Sequence, residues 1–272
     1  MFNGEGEGLL GNMGIRYAWS RVFLDNDPLA VGYTYRIASP NLLVMVHGLG
    51  GARHAFSPIW QRPEFANYSL MTIDFSGHGL TSPPEEKAPE LPVQAYLLEQ
   101  VLGIFQQMYP HNHVHLVAHG MGTTIALLMS QERLASLASF ASLEGDLISS
   151  DCALADKVIS LPEEDFRKTL PPEFKKNIGT QSSHLFLDMV KPKAFWQCAQ
   201  SLVNHCADGA PRHAWNQLAG KKVYFYGEHS AKKAVLKDLA PLVKREVSSC
   251  GHFMMLEQPD IFYPMLAQFL LD

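Results

Sequence analysis

The clearest signal along the chain is a series of short apolar runs separated by turn residues and by longer segments with helical spacing. Tyr33, Tyr35 and Ile37 alternate with polar or small neighbours at period two, so 31–37 reads as a strand. With the run 15–23 before it, it suits the antiparallel edge of a larger sheet. Leu42-Leu43-Val44-Met45-Val46 is instead continuously apolar, the pattern of a strand covered on both faces in a parallel sheet. Runs at 68–74, 134–143, 222–227 and 245–248 continue the strand series. Leu97, Leu98, Val101, Leu102 and Phe105 place one apolar stripe on a helix over 93–108, and 231–242 and 260–270 read as further helices. Strands alternating with helices predict an α/β fold with a mostly parallel sheet.

The centre of the pattern is His115-Leu116-Val117-Ala118-His119-Gly120-Met121-Gly122, where an apolar strand turns sharply into a helix predicted to run from 121 to 133. Ala118 and Gly122 supply the small residues that such a close approach of strand and helix requires. From 147 to 218 the texture changes: prolines at 162, 171, 172, 192 and 211 punctuate helical pieces such as 152–159 and 193–203, with no strand pattern between them. The chain therefore divides into a core of 1–146 and 219–272 and a helical insertion of 147–218.

Four motifs carry chemistry. His47-Gly48-Leu49-Gly50-Gly51 follows the first buried strand and can turn backbone amides inward. Asp74-Phe75-Ser76-Gly77-His78-Gly79-Leu80-Thr81-Ser82 follows the next strand. Ala118-His119-Gly120-Met121-Gly122 is the elbow. Cys250-Gly251-His252-Phe253, with Glu257 and Pro259 behind it, closes the series.

In these motifs and their order the chain resembles the α/β-hydrolase superfamily, in the branch whose elbow usually reads G-H-S-M-G. The resemblance runs from about residue 30 to 271. It implies an eight-stranded, mostly parallel sheet flanked by helices, a helical cap formed by the insertion, and hydrolysis of a carboxylic ester or thioester through an acyl-serine, without cofactor. It also implies His252 as general base, oxyanion donors on the amides of Leu49 and Met121, and a structural role for Asp74 and His78. The usual carboxylate position after the seventh strand is Ser230, which cannot stabilise an imidazolium. The acid is then expected at the end of the sixth strand, with Glu144 favoured over Asp146, and Glu228 or Asp238 further behind.

The departure falls on the nucleophile position, where Gly120 stands in place of serine. Removing that hydroxyl leaves only about 10³–10⁴-fold catalysis over water, from oxyanion donors and binding. One reading is a serine hydrolase disabled by a Ser-to-Gly change. The alternative is a natural pseudoenzyme that binds a small hydrophobic ligand, or a lyase, cyclase or oxygenase that uses His252 without covalent catalysis. No other residue takes the serine's place: Cys250 is off the apex, Thr123 lies inside the helix, and Asp74 sits on another strand's end. Bulky residues of the insertion, Leu185, Phe186, Leu187, Met189, Phe195 and Trp196, are candidates for an apolar acyl pocket or for ordinary core.

Composition narrows the partners. With 27 acidic against 22 basic residues and no Lys/Arg run longer than two, the chain lacks the field that nucleic acid requires. At 47% hydrophobic residues it can bury a sizeable core, yet no window approaches a membrane span. His113 and His115 share a strand face, but nothing nearby completes a metal-ligand set. The Gly-rich start, 1–14, reads as a loose arm without the features of a secretory signal. Cys152, Cys198, Cys206 and Cys250 show no metal or disulfide spacing, so a cytoplasmic protein is expected.

Overall fold

The computed structural model describes residues 14–85, 87–172, 174, 185–231, 233–240 and 243–272. Most of the N-terminal arm expected at 1–14 lies outside them. Eight strands form one sheet: β1 Arg16–Leu24, β2 Asp27–Arg36, β3 Asn41–Val46, β4 Ser69–Ile73, β5 His113–His119, β6 Ser139–Leu143, β7 Lys221–Gly227 and β8 Lys244–Val247. Their spatial order is β1-β2-β4-β3-β5-β6-β7-β8. β1 and β2 pair antiparallel through a two-residue turn, β2 pairs antiparallel with β4, and all later pairs are parallel.

The continuously apolar strands are central, and their side chains divide between two faces. Val44, Val46, Leu116 and Ala118 pack on one side with the helix α1, Leu91–Met108, and the helix α2, Met121–Leu127. Leu43, Met45 and Val117 pack on the other with Phe56, Ile59 and the closing helix. That helix, Pro259–Leu271, buries Phe262, Tyr263 and Leu266. Burying both faces explains why these strands show no alternation in sequence.

Between β6 and β7 the described chain is helical, with helices at Ala153–Ile159, Pro192–Cys206 and Ala210–Gln217. Phe166, Phe195 and Trp215 from this region join the same apolar cluster as α1 and α2, so it is seated on the sheet's first face.

The expected boundaries after the elbow are wrong, and the helix expected at 231–242 is Lys233–Asp238. The helix after the elbow ends at Leu127 instead of 133, and a separate helix, Gln131–Ala135, follows. Ser130 caps it, its Oγ accepting from the Arg133 amide at 3.2 Å. Leu134 and Leu137 thus belong to this helix and the turn after it, which shortens the strand expected at 134–143 to Ser139–Leu143.

The turn after β4 is a buried polar knot. Asp74, fully buried, accepts from the amides of Arg53 at 2.7 Å and Leu80 at 3.0 Å and pairs with the Arg53 guanidinium. His47 Nδ1 donates to the Gly48 carbonyl while Nε2 accepts from the Phe75 amide at 3.1 Å, which fixes a neutral ring. Burial pushes His47 down to about 4, and burial together with neighbouring His47 pushes His78 down to about 3. An unfolded chain takes up these protons near pH 6.5 and the folded one does not, so their stability contribution is complete above that pH and is lost as pH falls towards 4 and 3. Between pH 7.5 and 5.0 the two histidines together remove about 4 kcal/mol. Urea midpoints should drop markedly over that interval; equal midpoints at the two pH values would contradict the assignment.

Candidate active site

The apex of the strand-turn-helix is Gly120, at φ +49° and ψ −122°. This conformation strains a residue with a Cβ, which glycine avoids. The close approach expected at Gly122 is real, since a Cβ there would meet the His47 carbonyl at 2.6 Å. The elbow is held to the end of β6 from both sides: the Gly120 amide donates to the Leu143 carbonyl at 3.0 Å, and the Gly120 carbonyl accepts from the Asp146 amide at 3.2 Å.

A Cβ at position 120 would lie 3.6 Å from His252 Nε2, 3.5 Å from Asp146 Oδ2 and 3.7 Å from the Gly48 Cα, all without overlap. The apex, the histidine and the Gly-rich turn are therefore adjacent. Met121 is the first residue of α2, whose leading amides have no intrahelical acceptor, and Leu49 lies in the adjoining turn. Both line the cavity above the apex.

His252 Nδ1 faces Glu144 Oε2 at 3.7 Å, within ion-pair range and longer than a hydrogen bond. Glu144 is buried, with φ +48°, and its carboxylate accepts from the Gly227 amide at 2.8 Å and the Ser230 hydroxyl at 2.9 Å. The serine at the usual acid position thus donates to the glutamate that arrives from the neighbouring strand. Asp146, two residues on, lies on the apex side. Among the remaining candidates, Glu228 Oε2 accepts from the Ser249 amide, and Asp238 pairs with Arg212 at the surface.

Two residues that motif reasoning left without a role hold the histidine's backbone. Glu257 accepts from the Gly251 amide at 2.7 Å and the Phe253 amide at 2.9 Å, straddling His252. His119 Nε2 donates to the His252 carbonyl at 3.0 Å, with the two rings 4.5 Å apart. The sequence signals were the E-x-P spacing after the histidine and the histidine preceding the apex.

No substitute nucleophile is brought to the apex by these residues. Burial, and then the charge of Glu257, raises the Cys250 thiol to about 11, and its Sγ donates to the Val247 carbonyl. The Thr123 hydroxyl donates back to the Ala118 carbonyl, and Asp74 is committed to Arg53.

The cavity measures about 500 Å³. Its walls include Leu49, Met121, Leu154, Leu185, Leu202 and Phe253, with the carboxylates of Glu144, Asp146, Asp151 and Glu257 and the imidazoles of His229 and His252. No lysine or arginine is among its described lining residues. Of the six bulky insertion residues singled out in the sequence, Leu185 lines the cavity; Phe195 is core against Phe166 and Phe174, and the Trp196 indole donates to the Leu161 carbonyl. The described insertion's share of the wall comes largely from 150–155, with Leu185 and Leu202. His115 Nδ1 bonds to Ser139 Oγ at 2.8 Å, and among the described residues no group of three or more His, Cys, Asp or Glu is placed to hold a metal ion. Among them, too, no helix is long and apolar enough to cross a membrane.

A mostly parallel sheet of this order, with a strand-turn-helix apex facing a histidine backed by a buried carboxylate, defines a hydrolase-type fold. A profile of the Alpha/beta hydrolase family matches residues 43–264, and the chain belongs to that family. No curated protein matches it. Among solved structures, MenH from S. aureus is 19% identical at a TM-score of 0.63, covering 88% of this chain and 97% of that one. A serine-to-glycine mutant of the N-acyl homoserine lactonase AidH, complexed with N-hexanoyl homoserine lactone, is 13% identical at 0.71, covering 93% and 97%. A chain from work on carboxylesterases of Nitrososphaera gargenis is 14% identical at 0.71, covering 93% and 98%. At these identities the likeness is one of fold, and the activity has to be argued from the site.

Proposed function

We propose that this chain is built as a hydrolase of small carboxylic esters or thioesters of the acyl-serine kind. With Gly120 at the apex, it binds such a substrate without forming an acyl-enzyme. The observation that carries the reading is the 3.6 Å between a Cβ position at 120 and His252 Nε2, with Glu144 behind Nδ1. A hydroxyl one bond beyond that Cβ comes within reach of the base, as nucleophilic catalysis requires. Without it, His252 can take a proton only from water or from the substrate itself.

The amides of Leu49 and Met121 act as oxyanion donors in this reading, and the segment 147–218 acts as a cap over a core formed by 1–146 and 219–272. The aliphatic lining favours a hydrophobic acyl group. The serine-to-glycine AidH mutant supports retained binding by analogy, since its complex contains a lactone, a cyclic ester. Four free cysteines, all buried, fit the reducing cytoplasm.

The test is gain of function. Gly120→Ser should hydrolyse p-nitrophenyl butyrate at least about 10³-fold faster than the parent, with an acylation burst that the parent lacks. A folded Gly120→Ser protein with no gain would give the site to the ligand-binding or lyase alternatives.

A further inference from the structure

We propose that Asp146 is a hydrogen-bond acceptor at the apex, which together with His252 positions a water molecule above Gly120 for direct attack on a neutral acyl substrate. This rests on the ester-hydrolase reading above and says how turnover proceeds without the serine.

Asp146 Oδ2 and His252 Nε2 lie 3.5 and 3.6 Å from the same point, the position a Cβ at 120 would take. The aspartate is placed there by its own backbone: its amide donates to the Gly120 carbonyl, and its carbonyl accepts from Thr124 Oγ1 at 2.5 Å. Glu144 serves the far side of the imidazole, so the two carboxylates have different places: one behind the base, one beside the reacting centre. A water between them donates one hydrogen to His252 Nε2 and the other to Asp146 Oδ2, which turns its lone pair towards the cavity.

The step then balances without a covalent intermediate. The water oxygen forms a bond to the acyl carbon as its proton passes to His252 Nε2, and the carbonyl oxygen takes the charge beside the Leu49 and Met121 amides. The carbon–oxygen bond to the leaving group breaks, and that alkoxide takes the proton from His252. The products are a carboxylic acid and an alcohol. A carboxylate at the apex, with no lysine or arginine among the described lining residues, disfavours anionic acyl groups.

The same carboxylate obstructs a serine. A hydroxyl at 120 can donate to Asp146 instead of His252, and the alkoxide character it gains on attack develops beside a negative charge. Asp146→Asn keeps the side-chain shape and the backbone bonds while removing the charge. It should therefore act with opposite signs in two backgrounds. In the parent it should slow p-nitrophenyl butyrate hydrolysis about tenfold, because a neutral amide accepts more weakly than a carboxylate. In Gly120→Ser it should raise the rate of fluorophosphonate labelling at least about tenfold. Melting temperatures of the four proteins establish that the fold is intact.

Opposite signs support the assignment. If Gly120→Ser is labelled equally with and without Asp146→Asn, the assignment is overturned while the ester-hydrolase reading stands. If neither is labelled nor active, the ester-hydrolase reading fails and the assignment falls with it.

Discussion

In the Gly120→Ser protein, replacing Glu144 with glutamine is expected to lower kcat for p-nitrophenyl butyrate by about 10³–10⁴-fold, with KM little changed. The reason lies in what Glu144 is asked to accept. Its two oxygens take the Gly227 amide, the Ser230 hydroxyl and the Nδ1 side of His252. An ionised carboxylate has acceptor capacity for all three, whereas glutamine has one oxygen and turns an NH₂ group towards a donor. If that NH₂ faces His252, it presents a donor to Nδ1 and favours the tautomer whose proton sits on Nε2, the atom that must receive one. If it faces Gly227, the end of β7 is pushed off. Steady-state kinetics with a thermal melt decides the point. A loss under tenfold would move the acid role to Asp146 and undo the division of labour between the two carboxylates.

The second large effect is on stability, with the chemistry spared. Asp74→Ala should cost about 3–5 kcal/mol in urea unfolding, because it leaves the Arg53 guanidinium buried without its carboxylate. It also removes the acceptor for the amides of Arg53 and Leu80. Arg53 keeps its bond to Thr34, which does not neutralise the charge. In the Gly120→Ser background the rate per folded molecule should stay within about twofold of its parent. A stable Asp74→Ala variant that has lost activity would make this aspartate part of the chemistry, against the structural role its contacts describe.

These cases show what the sequence made legible. The sheet was readable because its central strands are buried on both faces and the four motifs stand at strand ends in order. The adjacency of Gly120 to His252 followed from the same motifs. Asp146 was harder, because spacing alone makes it a rival of Glu144 for one role. The positive φ at Glu144 and the bonds that tie Asp146 to the elbow send the two side chains to different sides of the imidazole, and neither feature leaves a mark in composition or period. Glu257 and His119 act on the backbone of His252, a function shared by many polar residues and so silent in sequence. Which insertion residues line the cavity and which are core stayed open in the sequence for a related reason. The helical pieces of the insertion are short, and which face of each meets the sheet is settled by packing, as Phe195 in the core and Leu202 on the wall illustrate.

Gly120 organises all of this. It sits in a backbone conformation that suits glycine, and the neighbours of its Cβ position are at ordinary contact distance. A serine therefore fits at a strain of about 1–3 kcal/mol, the kind of local strain that functional sites commonly carry.

The most direct measurement is intact-protein and peptide mass spectrometry of the parent and of Gly120→Ser after incubation with a fluorophosphonate, each with and without His252→Ala. The account predicts no adduct on the parent, stoichiometric modification at position 120 in the serine variant, and its loss when His252 is removed. An unmodified serine variant that is folded, or one labelled equally without His252, would contradict the claim that a complete acyl-transfer site surrounds this glycine.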